Sequence, residues 1–373
     1  MIYLDYSANT PVDERVLSRF AETERGFMGN PNSKHSAGTA AESRLAEITA
    51  SIAKLMGVKP SEIIYTSGAA EANNTAINGI AHTTRHTGKH IISTPLEHPT
   101  VSAPLTRLQE QGYEIDLVDI GRDGIIDLEH LSELMRKDTV LVAVSAVDSE
   151  LGVIQPIEKI AELLREYPNC HLHVDATQAV GKTGLVLEGV DTAAFSAHKF
   201  YGLNGSGLLY KREGLVIEPL IHGGSGTTPF RSGTPTLALA AAFETALELA
   251  VTEMPERIKR VAEHNAYLRE FFAGRDKVRI NSPSHAIPHI QNVSVQGVKG
   301  YDFQRTLSDR GVCVSVKSAC SVEGTPSRAV YAVSRDRKNA LSSFRISLSH
   351  LTTEAELRAF TEAFAKCCEE FNI

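Results

Sequence analysis

The chain has 373 residues, which is enough for a large buried core and favours two domains over one. Apolar residues make up 42% and charged residues 22%, an ordinary globular composition that argues against disorder. The formal net charge of −7 excludes the strongly basic surface that nucleic acids and anionic membranes attract, so we expect neither as a partner.

The N-terminus and the cysteines bear on the compartment. The stretch MIYLDYSANTPVDERV has neither the basic start nor the apolar core of a secretion signal, and no apolar run approaches the roughly 20 residues that cross a bilayer. The cysteines are odd in number and irregularly spaced, as reduced thiols are; they are Cys170, Cys313, Cys320, Cys367 and Cys368. We therefore expect a cytoplasmic protein.

Short apolar segments alternate with helical patterns from near residue 40 to near residue 250. The strand candidates are EIIYTSG, KHIIST, EIDLVDI, TVLVAVSAV, CHLHVDA, TAAFSAHK and GSGLLYKR. Because helical patterns separate most of them, we predict an α/β fold whose mostly parallel sheet lies between helices. GSGLLYKR follows TAAFSAHK too closely for a helical crossover, so it is the candidate for an antiparallel strand.

The pattern changes after Pro235, where it is helical to about residue 272. NVSVQ, VCVSV and SFRISL then read as short strands, and residues 353–370 as a long helix. We predict a large domain over residues 14–256, and a smaller α+β domain made of residues 1–13 and 257–373.

TSGAAEANN is the first candidate site, because it joins a predicted strand to a predicted helix. Gly68 would permit a tight turn, and the N–H groups of Ala69, Ala70 and Glu71 would open the helix. Such a helix start binds phosphate through its free donors and its dipole. Small residues between a strand and a helix can also be only a turn.

HVDATQAVG is the second candidate site. Asp175 falls at the carboxyl end of an apolar strand, where open α/β sheets bind ligands. A carboxylate there could pair with a pyridinium nitrogen, and Gln178 could reach a ring hydroxyl. The alternative is that Asp175 only caps a helix.

AAFSAHKFYG is the most informative segment. Lys199 lies at a strand end beside Phe200 and small residues, where poor solvation would favour the neutral amine that Schiff-base chemistry needs. Ser196 and His198 are spaced to point with it toward one ligand, where either could bind phosphate. Together with the helix start and Asp175, this lysine points to pyridoxal 5′-phosphate (PLP).

Four further residues are weaker candidates. His98 in LEHPTV follows a strand and could stack on a planar ring, and Thr234 in HGGSGTTPFRSGT lies in a Gly-rich loop that could cradle phosphate. Cys320 in VSVKSACSVEGTPS lies in a polar stretch, where Lys317 could favour its thiolate by charge. Arg345 in SFRISL offers a planar fork suited to a carboxylate.

A metal site is not expected. His82, His86 and His90 recur at the four-residue spacing that can place ligands on one helix face. Gly88 interrupts that helix, and no acidic or thiol partner lies nearby in the sequence.

The order and spacing of these motifs resemble the cysteine desulfurases of the class-V branch of PLP-dependent enzymes. The resemblance spans almost the whole chain, from YLDYSANTPVD and GNPNSKHSAG through TSGAAEANN, LEHPTV, HVDATQAVGK, FSAHKFYG and FRSGT to KSAC and RISLSHLTTEAE. It implies PLP fold type I and a homodimer with its active site near the subunit interface.

The resemblance also implies roles for individual residues. Lys199 would form the Schiff base with PLP, Asp175 would pair with the pyridine nitrogen, and Gln178 would bond the ring oxygen. His98 would stack on the ring and belong to the catalytic set. The phosphate contacts implied are Ser196, His198, Ala69 and Ala70 in the TSGAAE turn, and Thr234 of the other subunit.

The implied reaction converts L-cysteine to L-alanine. Arg345 would bind the substrate carboxylate, and Lys199 would move the Cα proton. The Cys320 thiolate would then take the substrate sulfur as a persulfide and pass it to a sulfur-acceptor protein. The pathway stays open among iron–sulfur assembly, thiolation and other uses.

Several positions depart from the family pattern, and three of them lie among the implied site residues or near Cys320. Ala70 replaces a phosphate-binding threonine, Ser149 replaces an asparagine that contacts the ring oxygen, and Lys317 replaces a glycine near Cys320. Two other functions therefore stay open. One is a selenocysteine lyase or another PLP-dependent β-elimination enzyme, and the other is a weakly active PLP-fold partner protein.

Overall fold

The computed structural model describes residues 1–184, 186–224, 228–317 and 324–373. Its strands are β1 (Ile2–Tyr3), β2 (Ile63–Thr66), β3 (His90–Ser93), β4 (Glu114–Leu117), β5 (Thr139–Ser145), β6 (His171–Asp175), β7 (Thr192–Ser196), β8 (Gly207–Lys211), β9 (Val278–Ile280), β10 (Ile290–Val295), β11 (Val312–Cys313) and β12 (Ser343–Ser347). Its α-helices are α1 (Glu14–Gly26), α2 (Ser36–Met56), α3 (Ala69–Thr83), α4 (Pro99–Glu110), α5 (Leu128–Leu134), α6 (Ile157–Leu164), α7 (Leu237–Thr252), α8 (Met254–Ala273), α9 (Gly300–Asp309), α10 (Arg328–Ser334), α11 (Arg337–Leu341) and α12 (Glu354–Glu370).

A seven-stranded sheet forms the centre of the fold, with strand order β2-β8-β7-β6-β5-β3-β4. Strand β8 runs antiparallel to both of its neighbours, and the other neighbouring pairs are parallel. This confirms the mostly parallel α/β prediction and the antiparallel placement of GSGLLYKR. A parallel neighbour needs a long crossover, whereas the short link from β7 to β8 allows only a reversal.

Helices bury both faces of this sheet. In β5, Val142 and Val144 pack with residues of α2 and α7, whereas Leu141 and Ala143 pack with residues of α3 and α4. Successive side chains of a strand point to opposite faces, so an apolar run such as TVLVAVS needs a hydrophobic layer on each side. The sheet therefore offers its strand ends, rather than its faces, for binding a ligand.

A second unit contains the chain's C-terminal part together with its N-terminal strand. Strands β12, β10 and β9 form an antiparallel sheet, and β1 pairs in parallel with β11. Phenylalanines from α8, α9, β12 and α12 share its core. No helix in the described part of the chain combines the length and the apolar composition of a membrane span.

Candidate cofactor and substrate site

A cavity of about 410 Å³ opens where the carboxyl ends of β6 and β7 meet the start of α3. Most of the residues singled out from the sequence line it: Ala69, Ala70, His98, Ser149, Asp175, Gln178, Ser196, His198, Lys199 and Arg345. Thr234 lines a neighbouring cavity of about 120 Å³, and Ser67 and Gly205 border both spaces. Cys320 lies outside the described residues.

The start of α3 is built to receive an anion. Gly68 precedes the helix without a side-chain cap, so the first N–H groups of α3 stay available to a ligand. Gly207 must be a glycine, because a Cβ there would lie 2.4 Å from the Gly68 Cα. Ser196 Oγ and His198 Nδ1 are 3.0 Å apart and line the same cavity. These donors fit a phosphate group.

The acidic side chain in this helix start is turned to other partners. Glu71 accepts a hydrogen bond from the Ser67 backbone N–H at 2.7 Å and pairs with Arg231 at 2.9 Å. The Arg231 guanidinium and the Ser67 amide hold the pKa of Glu71 below its ordinary value, although burial opposes them. The positive charge of Arg231 thereby balances the negative charge of Glu71 beside the anion site.

Asp175 is buried and held in one orientation. Its Oδ2 accepts from Asn73 Nδ2 at 2.9 Å, and its Oδ1 accepts from the Thr177 backbone N–H at 3.0 Å. Asn73 Oδ1 lies 2.9 Å from His173 Nε2, while His173 Nδ1 lies 2.9 Å from Thr192 Oγ1. A fixed buried carboxylate of this kind suits a cationic ring nitrogen.

Asn73 and His173 were missed in the sequence. His173 lies two residues before Asp175 on β6, so the two side chains point to the same face of the sheet, and that spacing was a usable signal. Burial lowers the pKa of His173 to about 4, although Asp175 opposes this shift, so the imidazole is neutral. Asn73 carried no comparable signal, since only the packing of α3 on the sheet brings it to Asp175.

Lys199 ends a short 3₁₀ turn directly after β7. Its Nζ donates to the carbonyl oxygens of Ser7 at 2.8 Å and Ala8 at 2.6 Å. The N-terminal segment is tied to this turn, since Thr10 N–H and Oγ1 both donate to the His198 carbonyl. Ser7 and Ala8 act through backbone oxygens, so no side-chain motif in the sequence predicts their role.

Two histidines in the site are neutral. His98 caps α4, and its Nδ1 accepts from the Thr100 backbone N–H at 3.2 Å, which places the ring proton on Nε2. Burial lowers the pKa of His98, and Lys199 and Arg345 act in the same direction while Asp175 opposes. Burial, Lys199 and Lys182 lower the pKa of His198 to about 4.

Arg345 enters the cavity from β12 and is only 2% exposed. Its Nη1 donates to the Ser149 carbonyl at 2.8 Å, and its Nη2 pairs with Asp5 Oδ1 at 2.9 Å. Its Nε has no hydrogen-bond partner among the described residues. A guanidinium that is held in place and lines a cavity is suited to a small carboxylate. Asp5, which orients it, was missed in the sequence.

Glu97 joins the loop before His98 to the end of β5. Its Oε1 accepts from Thr94 Oγ1 at 2.7 Å and from the Ser145 N–H at 3.0 Å, and its Oε2 accepts from Ser145 Oγ at 2.6 Å. Burial raises the pKa of Glu97 from 4.5 to about 7, against these hydrogen bonds. Glu97 is therefore protonated in the folded protein at pH values where the unfolded chain has already lost the proton.

Replacing Glu97 by glutamine tests this protonation. Because the folded-state pKa is raised, the contribution of Glu97 is complete below about pH 4.5 and is lost as the pH rises through about 7. The free energy of unfolding of the native protein should therefore fall relative to Glu97→Gln across this window, by at most about 1.4 kcal/mol per pH unit. Denaturant unfolding of both proteins measures the difference, and parallel pH profiles would contradict the assignment.

The cavity as a whole fits PLP. An anion site, a buried carboxylate and a lysine amine line one space, and these are the groups that the phosphate, the ring nitrogen and the aldehyde of PLP require. Arg345 lines the same space and supplies a cation suited to the carboxylate of an amino acid. The cavity therefore carries groups suited to a cofactor together with a substrate.

Known proteins resemble this chain over its whole length. Residues 2–360 match the family described as Aminotransferase class-V. Cysteine desulfurase IscS of Dictyoglomus turgidum is 37% identical, with 99% of this chain and 95% of the relative covered. A solved structure of a NifS-like protein superposes with a TM-score of 0.92 at 34% identity and covers 99% of both chains. SspA in complex with cysteine gives a TM-score of 0.83 at 28% identity, with 95% of this chain and 100% of SspA covered. The chain therefore belongs to the PLP-dependent cysteine desulfurases of the class-V aminotransferase family.

Proposed function

We propose that the protein converts L-cysteine to L-alanine and carries the released sulfur as a persulfide on Cys320. The observation that carries this proposal is the meeting of Lys199, Asp175 and Arg345 in one cavity. Relatives named cysteine desulfurase and a solved relative that binds cysteine support it.

The side chains that would hold PLP come from separate elements. The start of α3, Ser196 and His198 would hold the phosphate, Asp175 the ring nitrogen, and Gln178 the ring oxygen. When bound through Lys199, PLP supplies an electron sink for the bonds at the substrate Cα. Asn73 and the Thr177 N–H keep Asp175 aimed at the cavity, so its orientation is set before any ligand enters.

The substrate-binding and proton-moving groups are this chain's own. Arg345, held by Asp5 and the Ser149 carbonyl, lines the cavity and would bind the substrate carboxylate. Once freed from the cofactor, the Lys199 amine would take and return the proton at Cα. In sum, the Cys320 thiol forms an S–S bond, the substrate C–S bond breaks, and Cβ gains a proton, leaving L-alanine and a Cys320 persulfide.

We extend the proposal to a cytoplasmic homodimer that passes the sulfur to an acceptor protein. Thr234 borders a cavity that adjoins the main one at Ser67 and Gly205, and the family resemblance implies that it contacts the phosphate of the other subunit. The two-domain division, 14–256 against 1–13 with 257–373, belongs to the same proposal. It is supported by Arg345, which lines the cavity from outside residues 14–256 and pairs with Asp5, also outside that range.

The direct test is product analysis of the purified, PLP-loaded protein with L-cysteine and a thiol reductant. We expect alanine and sulfide in equal amounts, because each turnover moves one sulfur atom from substrate to Cys320 and then to the reductant. Sulfide accompanied by pyruvate and ammonia in place of alanine would identify a β-elimination enzyme and contradict the proposal.

A further inference from the structure

A second buried lysine lies behind the cavity and has no part in the chemistry above. Lys182 follows β6, on the turn that begins after Asp175, and its side chain is buried. Its Nζ donates a 2.6 Å hydrogen bond to Gln178 Oε1. Burying a long, charged side chain costs free energy unless the charge has a hydrogen-bond partner. The partner of Lys182 is Gln178, which lines the cavity.

The bond from Lys182 fixes which way the Gln178 amide points. In its ammonium form Nζ only donates, and the Ser7 carbonyl only accepts, so the Gln178 amide oxygen faces Lys182 and its NH₂ group faces Ser7. Gln178 Nε2 donates one hydrogen to the Ser7 carbonyl at 2.9 Å, which leaves its second N–H for a ligand. The same Ser7 carbonyl accepts the Lys199 Nζ at 2.8 Å. Three hydrogen bonds thus connect Lys182 to the Schiff-base lysine.

The charges around Lys182 are of one sign. Lys199 and Arg345 both interact electrostatically with it, and within the described residues no carboxylate forms an ion pair with it. Burial, Lys199 and Arg345 lower the pKa of Lys182 to about 7. No ion pair therefore explains why this amine is buried. Its hydrogen bond to Gln178 is the contact that accounts for its position.

We propose that Lys182 is a positioning residue, which orients the Gln178 amide so that one N–H faces the ring oxygen of PLP. The inference rests on the proposed function, since it needs PLP in this cavity. Lys182 would then influence the protonation of bound PLP through Gln178, without contacting the substrate.

The test is a pH titration of the visible absorption of the PLP-loaded protein. An N–H donor stabilises the ring oxygen while it is ionised, so losing the donor disfavours the deprotonated, more negative form of the chromophore. In Lys182→Met the apparent pKa should therefore rise by about one unit or more, the size expected when an ionised oxygen loses a donor. If the methionine variant does not fold, the more conservative substitution Lys182→Gln can be titrated in the same way.

Lys211→Met is the matched control. Lys211 is also a buried lysine with a pKa lowered by burial, but it donates to the Arg212 and Leu215 carbonyls at the end of β8, outside the cavity. Its replacement should lower stability and leave the titration unchanged. In a double-mutant cycle, Lys182→Met should add little to the shift already caused by Gln178→Leu.

Two results would overturn the inference. One is an unchanged titration in Lys182→Met, and the other is a full additive shift in the double variant, which would show that Lys182 does not act through Gln178. A native protein without any visible PLP absorption would instead defeat the proposed function, so the two failures are distinct.

Discussion

Lys199→Ala should eliminate the visible absorption of bound PLP and lower the production of alanine from L-cysteine by at least about 10³-fold. The amine is the proposed attachment point of the cofactor and the proposed carrier of the Cα proton, so one substitution removes both. Lys199 lines the cavity, and its hydrogen bonds to the Ser7 and Ala8 carbonyls hold the nitrogen in place before the cofactor arrives. Absorption spectra and alanine assays on the purified variant measure the two losses separately.

Chemical rescue supplies the control for this variant. Removing the side chain leaves room in the cavity for a small primary amine, so added methylamine should restore part of the turnover if the missing group is a proton carrier. A variant that keeps both the visible band and native turnover would exclude Lys199 from the site. If only the PLP absorption is retained, the Schiff base must form with an amine other than that of Lys199.

Cys320→Ser should keep the PLP absorption of the native protein and lose sulfide formation, again by at least about 10³-fold. A hydroxyl ionises far less readily than a thiol and forms no persulfide, so the substrate sulfur has no acceptor on the enzyme. Mass spectrometry of the native protein after one turnover without reductant should find one added sulfur atom on the peptide containing Cys320. The variant should show none.

Cys313→Ser is the matched control for this experiment. Cys313 is a free thiol in β11, half-buried and only seven positions earlier, and it lines none of the cavities described above. Its replacement should leave close to full turnover. Sulfide formation that persists in Cys320→Ser, or that fails equally in both variants, would reject the role of Cys320.

The positions of Lys199, Asp175 and the α3 start were predictable because each lies at the end of a strand or shortly after one, and the residues of each strand specify it. Apolar, β-branched segments predict the strands, and parallel strands bring their carboxyl ends to one edge of the sheet. The antiparallel placement of β8 was predictable for a related reason, since its link to β7 leaves no room for a crossover helix. These inferences need only local pattern and the geometry of sheets.

Other parts of the site leave no local trace in the sequence. Ser7 and Ala8 contribute backbone oxygens, which every residue has, so nothing distinguishes them in the chain. Lys182 was an ordinary lysine in a turn until its burial and its bond to Gln178 were known. The surroundings of a side chain depend on which helices and strands pack over it. The spacing of residues within one segment does not specify which other segments those are.

The sequence by itself determined the fold class, the mostly parallel sheet and the strand-end positions of the groups proposed to bind PLP, because these follow from local periodicity and residue chemistry. Only the tertiary structure decided how those groups are oriented. Asp5 and Arg345 are 340 positions apart, yet their ion pair fixes the guanidinium that faces the substrate space. Asn73 reaches Asp175 across 102 positions in the same way. Such contacts arise when separate hydrophobic layers close on one another, so their partners are set by packing of the whole chain rather than by any motif.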